Sequence, residues 1–393
     1  MIRRRQTPLL RRFLREFPSV TILGPRQCGK TTLARQALPG WTYLDLERPR
    51  DVTPLTADPE SRLEQLGDHV ILDEAQLVPE IFPILRGVID RHRTSRGRFV
   101  LLGSASPDLV QDISESLAGR TAILDLTALR WSEVRSRRSA SLQTLWVRGG
   151  FPSSFLARGE PAHHDWLDAY VRTFIERDLR RLGIDFSAPT MRRLWTMLAH
   201  VNARLWNASQ LAASLGITYH TVNRYLDILE QTFLVRRLQP YHANLRKRLV
   251  KSPKVYFTDT GLLHFFLGIH GPRELAVHPA RGASWEAFIV EEVVSALRIS
   301  APEAEVHFWR TATGDEVDLL LGHGSRLVPI EIKLHSSPSA ADAAGVRRCM
   351  QDLGCRRGFV VYPGQEDYSL GEGVTAIAAE KLLADPRNVA RLL

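Results

Sequence analysis

Short apolar runs recur through the first third of the chain, at residues 19–23, 41–46, 69–72, 99–102 and 123–126. They are rich in Val, Ile and Leu and carry little polar alternation, the mark of strands buried on both faces. Leu9, Leu10, Phe13, Leu14 and Phe17 precede the first run at helical spacing, and residues 30–38 read as a helix stopped by Pro39-Gly40. Residues 49–59 read as a polar connection. Strands alternating with helices predict an α/β fold, a doubly wound parallel sheet with its ligand site at the carboxyl ends of the strands.

Past residue 150 the pattern becomes helical. Leu167, Tyr170, Val171, Phe174 and Ile175 mark an amphipathic helix over 165–182, and a second runs over 191–201. Residues 207–226 then hold two short helices joined through Gly216, with Ala212 small at the crossing and Ile217, Val222 and Leu226 facing the core. That is helix-turn-helix spacing. Residues 273–283, with Pro279 and Gly282, read as a linker. After it come a helix over 285–297, strands over 306–310, 316–321 and 327–333, a helix over 346–353 and a strand over 358–362. The expected division is a domain at 1–150, a helical and winged-helix domain at 151–272, and an α/β domain at 273–393.

The chemistry of the first domain lies in Gly24-Pro25-Arg26-Gln27-Cys28-Gly29-Lys30-Thr31, which fits G-x-x-x-x-G-K-[ST] between a strand and a helix. Gly24 and Gly29 let the backbone wrap phosphates, and the amides of Gln27 to Thr32 sit at the positive end of the helix. Lys30 supplies a cation for the β- and γ-phosphates of ATP, Thr31 a hydroxyl for Mg²⁺, and Thr32 one for the α-phosphate. Cys28 stands where a helix end activates a thiol, although the position requires only a small side chain. The third strand ends in Asp73-Glu74: Asp73 is assigned to the metal shell and Glu74 to the attacking water. Ser104, closing the fourth strand, is the candidate γ-phosphate sensor.

A second constellation lies near the other end. Residues two apart on a strand share a face, so Glu331 and Lys333 point the same way. Asp318 on the neighbouring strand and Glu286 on the preceding helix complete an oxygen set suited to a second Mg²⁺ or Mn²⁺, with Lys333 beside the attacking water. Gln351 is a weaker candidate for the same cleft.

Composition narrows the setting. Lys and Arg number 52 against 43 Asp and Glu, a net charge of +9, which permits a polyanion partner without requiring one. The basic stretch 236–254, interleaved with tyrosines, and Tyr219, His220, Asn223 and Arg224 on the second helix of the turn motif are the expected DNA contacts. Three cysteines without a C-x-x-C pair indicate neither a disulfide framework nor a zinc site. No apolar run is long enough to cross a bilayer, and Arg11, Arg12 and Arg15 interrupt what would be a signal segment, so a cytoplasmic protein is expected.

The chain resembles the AAA-type ATPases in which a P-loop domain precedes a C-terminal domain of long-unknown function. The resemblance rests on the loop through Thr32, Asp73-Glu74-Ala75-Gln76, Gly103-Ser104, Ser116 to Arg120, Gly149-Gly150-Phe151-Pro152 and Glu176-Arg177-Asp178. Leu129-Arg130-Trp131-Ser132 departs from the proline-containing turn of the family. The likeness implies a winged-helix middle, and the helix, Asp and E-x-K arrangement resembles the PD-(D/E)XK nucleases. Arg120 is a candidate arginine finger, with Arg177 a weaker one, because a planar cation stabilises charge developing on the γ-phosphate. The expected function is an Mg-ATP-hydrolysing switch acting on a nucleic-acid or protein partner. An ATP-gated, metal-dependent nuclease and a non-catalytic DNA- or protein-binding regulator stand as alternatives.

Overall fold

The structure, a computed structural model, describes residues 2–104, 107–179, 187–241 and 251–393, without the side chains of residues 107, 108, 110 and 114. The chain packs as two compact units, the first comprising Met1–Ala128, Asp178–Ile184 and Asp227–Leu234.

The first unit is built on a five-stranded sheet of β1 (Ser19–Gly24), β2 (Thr42–Asp45), β3 (Val70–Asp73), β4 (Phe99–Ser104) and β5 (Thr121–Asp125). All neighbours are parallel in the order β2-β3-β4-β1-β5, so β1 is interior and every residue of it is buried. Successive side chains alternate between two cores: Val70, Leu72, Phe99 and Leu101 join Phe82, Leu85 and Val88, whereas Val20, Ile22, Val100 and Leu102 join Leu10, Leu33 and Ala34. With both faces covered, the strands need apolar residues at every position, which is why they were legible as uninterrupted runs. The polar connection expected over residues 49–59 is instead two helices, Pro49–Ala57 and Pro59–Leu66. Each opens on a proline, whose fixed φ suits a first helical turn, and each buries a leucine, Leu55 and Leu63.

The second unit comprises Leu129–Arg177, Asp185–Leu226 and Val235–Leu393. Residues 129–150, expected in the first domain, are stitched into this unit. Leu129 N donates to Gly150 O at 2.7 Å, Trp131 N to the Glu292 carboxylate at 3.0 Å, and Trp146 Nε1 to Ser284 Oγ at 2.9 Å. The Gly149-Gly150 pair is a close-packing device. A Cβ on Gly149 would lie 2.1 Å from Asp259 Oδ1, and Asp259 accepts from Gly150 N at 2.7 Å while capping Leu262 N at 3.0 Å. The turn Thr258-Asp259-Thr260-Gly261 thus locks onto Gly149-Gly150.

The turn motif forms as expected from Ala208–Leu215, Gly216 at φ 68° and Tyr219–Gln231, with Val222 and Leu226 buried. A left-handed residue at the helix end is the position glycine suits. A small antiparallel sheet follows, β6 (Arg204–Leu205), β8 (Lys254–Phe257) and β7 (Val235–Leu238), with β8 in the middle. The expected linker over 273–283 is largely helical: Pro272–Val277 buries Leu275, and the next helix starts at Arg281 and runs to Ser300. The largest sheet is mixed, in the order β13-β14-β12-β11-β10-β9. Its strands are β9 (Glu305–Arg310), β10 (Glu316–His323), β11 (Arg326–Ile332), β12 (Gly358–Tyr362), β13 (Tyr368–Gly371) and β14 (Val374–Ala378). Pairing of β9 with β10 shifts register between Val317 and Leu320, placing Asp318 in an irregularity of the kind that re-aims side chains beside sites.

Candidate active site and a second charged cluster

The phosphate loop joins the carboxyl end of β1 to the helix Lys30–Ala37, and Gly29 enters that helix at φ 101°, a backbone that L side chains rarely adopt. A Cβ on Gly24 would stand 2.1 Å from Leu126 O, so the loop start also requires glycine. Cys28 points into the core with Sγ 3.5 Å from Leu126 O, which favours its reading as a small packing residue. Gln27 and Thr32 are exposed on the loop and the first turn.

Lys30 is 6% exposed, yet its Nζ partners are uncharged: Gly24 O and Pro25 O at 3.0 Å and Ser104 Oγ at 3.5 Å. A buried ammonium without a counter-charge among the described residues fits an anion to be bound there. Thr31 Oγ1 donates to Asp73 Oδ2 at 2.6 Å, bringing together the hydroxyl and carboxylate that suit a hard cation such as Mg²⁺. Asp73 is fixed further by Tyr43 OH at 2.7 Å and by Glu74 N at 3.0 Å. Burial and the Asp73 carboxylate push the Tyr43 phenol well above its ordinary pKa, so it stays a donor. Glu74 lies in the left-handed region at φ 57° and its carboxylate is held by the Gln76 amide. A non-glycine residue there stores strain, and such strain collects at functional sites.

In the second unit, Glu286 from the helix Arg281–Ser300, Asp318 from β10, and Glu331 and Lys333 at the end of β11 do come together. Lys333 Nζ lies 2.8 Å from Glu331 Oε1, and Asp318 Oδ2 accepts from Ile332 N at 2.9 Å. Burial, then repulsion from Asp318, raises Glu286 to about 7 and Glu331 to about 8. The expected gap for a metal is filled, however. Lys254 of β8 reaches in, with Nζ 3.0 Å from Glu286 Oε1, 3.4 Å from Asp318 Oδ1, and in contact with Glu316. Among the described residues no group of three or more His, Cys, Asp or Glu side chains is set to hold one metal ion.

Three family models match the chain: an AAA domain over residues 16–135, a domain of unknown function (DUF8612) over 139–273, and a domain of unknown function (DUF4143) over 281–382. Uncharacterized proteins of Mycobacterium tuberculosis and Mycobacterium bovis are each 44% identical over 384 residues, 97% of this chain and 84% of theirs. The chain belongs to one family with these two proteins, and its residues 16–135 match the AAA domain. Among solved structures, the Walker-type ATPase of Pyrococcus abyssi is similar at 16% identity and a TM-score of 0.46, over 67% of this chain and 94% of that one. A signal-transduction ATPase with numerous domains from Pyrococcus horikoshii is similar at 11% identity and a TM-score of 0.29, over 76% of this chain and 46% of that one.

In this AAA-domain chain Lys30, Thr31, Asp73, Glu74 and Ser104 meet at one end of the first sheet; Arg120 does not join them. Its carbonyl accepts from Ser19 N at 3.1 Å, at the opposite end of β1, about 17 Å from Gly24 at the usual rise per residue. Its guanidinium grips Asp90 through two hydrogen bonds of 2.8 Å, which holds the Arg120 pKa above its ordinary value. Arg177 is exposed, while its neighbour Asp178 pairs with Arg26 Nη1 of the phosphate loop.

The basic stretch 236–254, expected to contact DNA, lies only in part among the described residues. Arg236 is bound to Glu291, Lys254 to the acidic cluster, and Tyr256 is fully buried, while residues 246–248 lie outside the described residues. On the turn motif Tyr219, His220 and Arg224 are exposed, but Asn223 accepts from Trp206 Nε1 at 2.8 Å. Gln351 is exposed on the helix Ala344–Leu353.

Sequence reasoning missed four contributors. Arg4, lost in an N-terminal run of arginines, donates to Cys28 O at 2.8 Å and Thr127 O at 2.6 Å, fastening the loop from behind. Tyr43 carried no motif. Glu291 and Glu292 read as ordinary helix charges, yet Ile289, Val290, Val293 and Val294 around them signal a helix buried on all sides, where carboxylates need partners.

Proposed function

We propose that the chain hydrolyses ATP with Mg²⁺ at Lys30, Thr31, Asp73 and Glu74. The observation that carries this reading is the buried, uncompensated Lys30 ammonium beside the Thr31–Asp73 pair. In it the loop amides and Lys30 hold the β- and γ-phosphates, and Thr31 and Asp73 hold the metal. Glu74 orients the attacking water and takes its proton, and Ser104 reads the γ-phosphate. Mg²⁺, when bound, neutralises phosphate charge. Hydrolysis then switches the conformation of the helix-turn-helix and C-terminal parts on a nucleic-acid or protein partner. Phosphate release in Mg²⁺ buffer tests the first step, with Lys30→Ala and Glu74→Gln as controls; a wild-type chain that binds no nucleotide ends the reading.

The convergence of Glu286, Asp318, Glu331 and Lys333 supports a second reading, a divalent-metal site of nuclease type. Glu286, Asp318 and Glu331 would hold the ion, and Lys333 would hold water beside it. Incubation of plasmid and single-stranded DNA with Mn²⁺ tests it, since cleavage unchanged in Lys333→Ala removes the idea.

A further inference from the structure

The acidic cluster of the second unit already contains a cation, delivered by a strand of another sheet. Lys254 is 3% exposed and opens β8, where it is paired with Leu205 on one side and Leu238 on the other. Its ammonium has three N–H donors, and three carboxylates, Glu286, Glu316 and Asp318, stand within ion-pair distance of it. Tyr256, two residues on and so on the same face of β8, donates to Glu286 Oε1 at 2.7 Å. Two residues of one strand therefore engage one carboxylate oxygen of the helix, Glu286 Oε1, and Lys254 engages Asp318 Oδ1 as well.

The arrangement exceeds what a structural ion pair requires. Four carboxylates, Glu286, Glu316, Asp318 and Glu331, share three cations among the described residues, Lys254, Arg310 and Lys333, with Tyr256 OH and Ile332 N as neutral donors beside them. Glu331 Oε2 is buried with no hydrogen-bond partner, an acceptor left over after Lys333 has bound the other oxygen. Buried Val255 and Tyr256 and pairing on both edges hold β8 in place and keep Lys254 directed at the cluster.

We propose that Lys254 is the resident cation of this site, standing where a divalent metal would bind, so that Glu286, Asp318 and Glu331 take up a metal only when that ammonium is removed. The inference rests on the metal-site reading above and adds its control. In this reading the ammonium that β8 holds among the carboxylates is the mask.

Binding of Mn²⁺ to the full-length, nucleotide-free chain, followed by loss of the free-ion electron paramagnetic resonance signal, tests this. Lys254→Met removes the ammonium at near-constant length and is expected to bind Mn²⁺ at least tenfold more tightly than the wild type, in a component abolished by adding Asp318→Asn. Should Lys254→Met fail to fold, the double variant Lys254→Met with Glu316→Gln, which drops one carboxylate together with the ammonium, carries the same expectation. A wild type that binds Mn²⁺ as tightly as the variants, in a component that Asp318→Asn removes, overturns the mask and leaves the metal-site reading standing. Absence of that component from wild type and variants alike overturns both. Independently, amine acetylation of the wild type read by mass spectrometry is expected to modify Lys254 at least tenfold more slowly than exposed Lys381; equal rates overturn the mask.

Discussion

Two buried lysines define the two halves of this molecule, and they are solved in opposite ways. Lys30 is enclosed by two backbone carbonyls and a serine hydroxyl, so its charge awaits an anion. Lys254 is enclosed by carboxylates, so its charge is already answered. Burying a cation is costly unless something of opposite sign accompanies it. In the loop that something comes from outside, whereas in the cluster it is part of the fold. The same residue type at similar burial has neutral partners in one place and carboxylate partners in the other, which is why the proposed reading makes Lys30 a binding group.

The contrast breaks most readily at Lys30. Lys30→Ala and Glu74→Gln are each expected to lower the steady-state rate of phosphate release by roughly a thousandfold, within the range that such groups supply. Glu74→Gln should retain nucleotide binding, measured by fluorescent-nucleotide titration. Hydrolysis surviving in Lys30→Ala would mean that the enclosed ammonium is structural after all.

The charged interior of the second unit can be sharpened through Glu292. Burial raises its carboxyl from 4.5 to about 7 against the opposing pull of Arg130 and Trp131 N. Between those values the folded state keeps a proton that the unfolded state has released, so stability falls as pH rises from about 4.5 to 7. The shift corresponds to a loss on the order of 3 kcal/mol. Glu292→Gln should therefore flatten the decline in denaturation midpoint across this window; an unchanged slope would assign the decline elsewhere.

Tyr43 should matter less. Removing its hydrogen bond to Asp73 in Tyr43→Phe is expected to weaken Mg²⁺-dependent turnover by roughly five- to tenfold, about 1 kcal/mol for one net hydrogen bond, seen as a raised Mg²⁺ requirement. The smallest effect is expected at Arg120, whose partly exposed pair with Asp90 lies at the far end of the sheet. Arg120→Ala should leave hydrolysis within about twofold of wild type, whereas an arginine finger would lose a factor of about a thousand or more.

Much of the loop site was legible because its parts are local. The glycines, Lys30 and Thr31 occupy one loop, and Asp73-Glu74 end one apolar strand. The parallel-sheet topology then brings those ends together without further instruction. Adjacency to β5 did not tell which end of the strand Arg120 occupies, and it lies at the end away from the loop. The linker over 273–283 misled because Pro272 opens a helix there, and the loop over 49–59 for the same reason at Pro49 and Pro59. Asp318, Glu331 and Lys333 were assembled correctly from strand parity, but their cation was invisible, since Lys254 sits in what read as a basic, solvent-facing stretch.

The sequence by itself determined the phosphate loop, the strand-and-helix alternation, the turn motif and the acidic residues of the C-terminal sheet, because each depends on near neighbours and on periods of two or 3.6 residues. Tertiary structure alone decided which charges meet. Arg4 closes on the loop across 24 residues, Arg120 turns to Asp90 across 30, and Lys254 crosses 64 to reach Asp318. Long-range pairing depends on where buried backbone carries each side chain, and no periodicity in the chain records that.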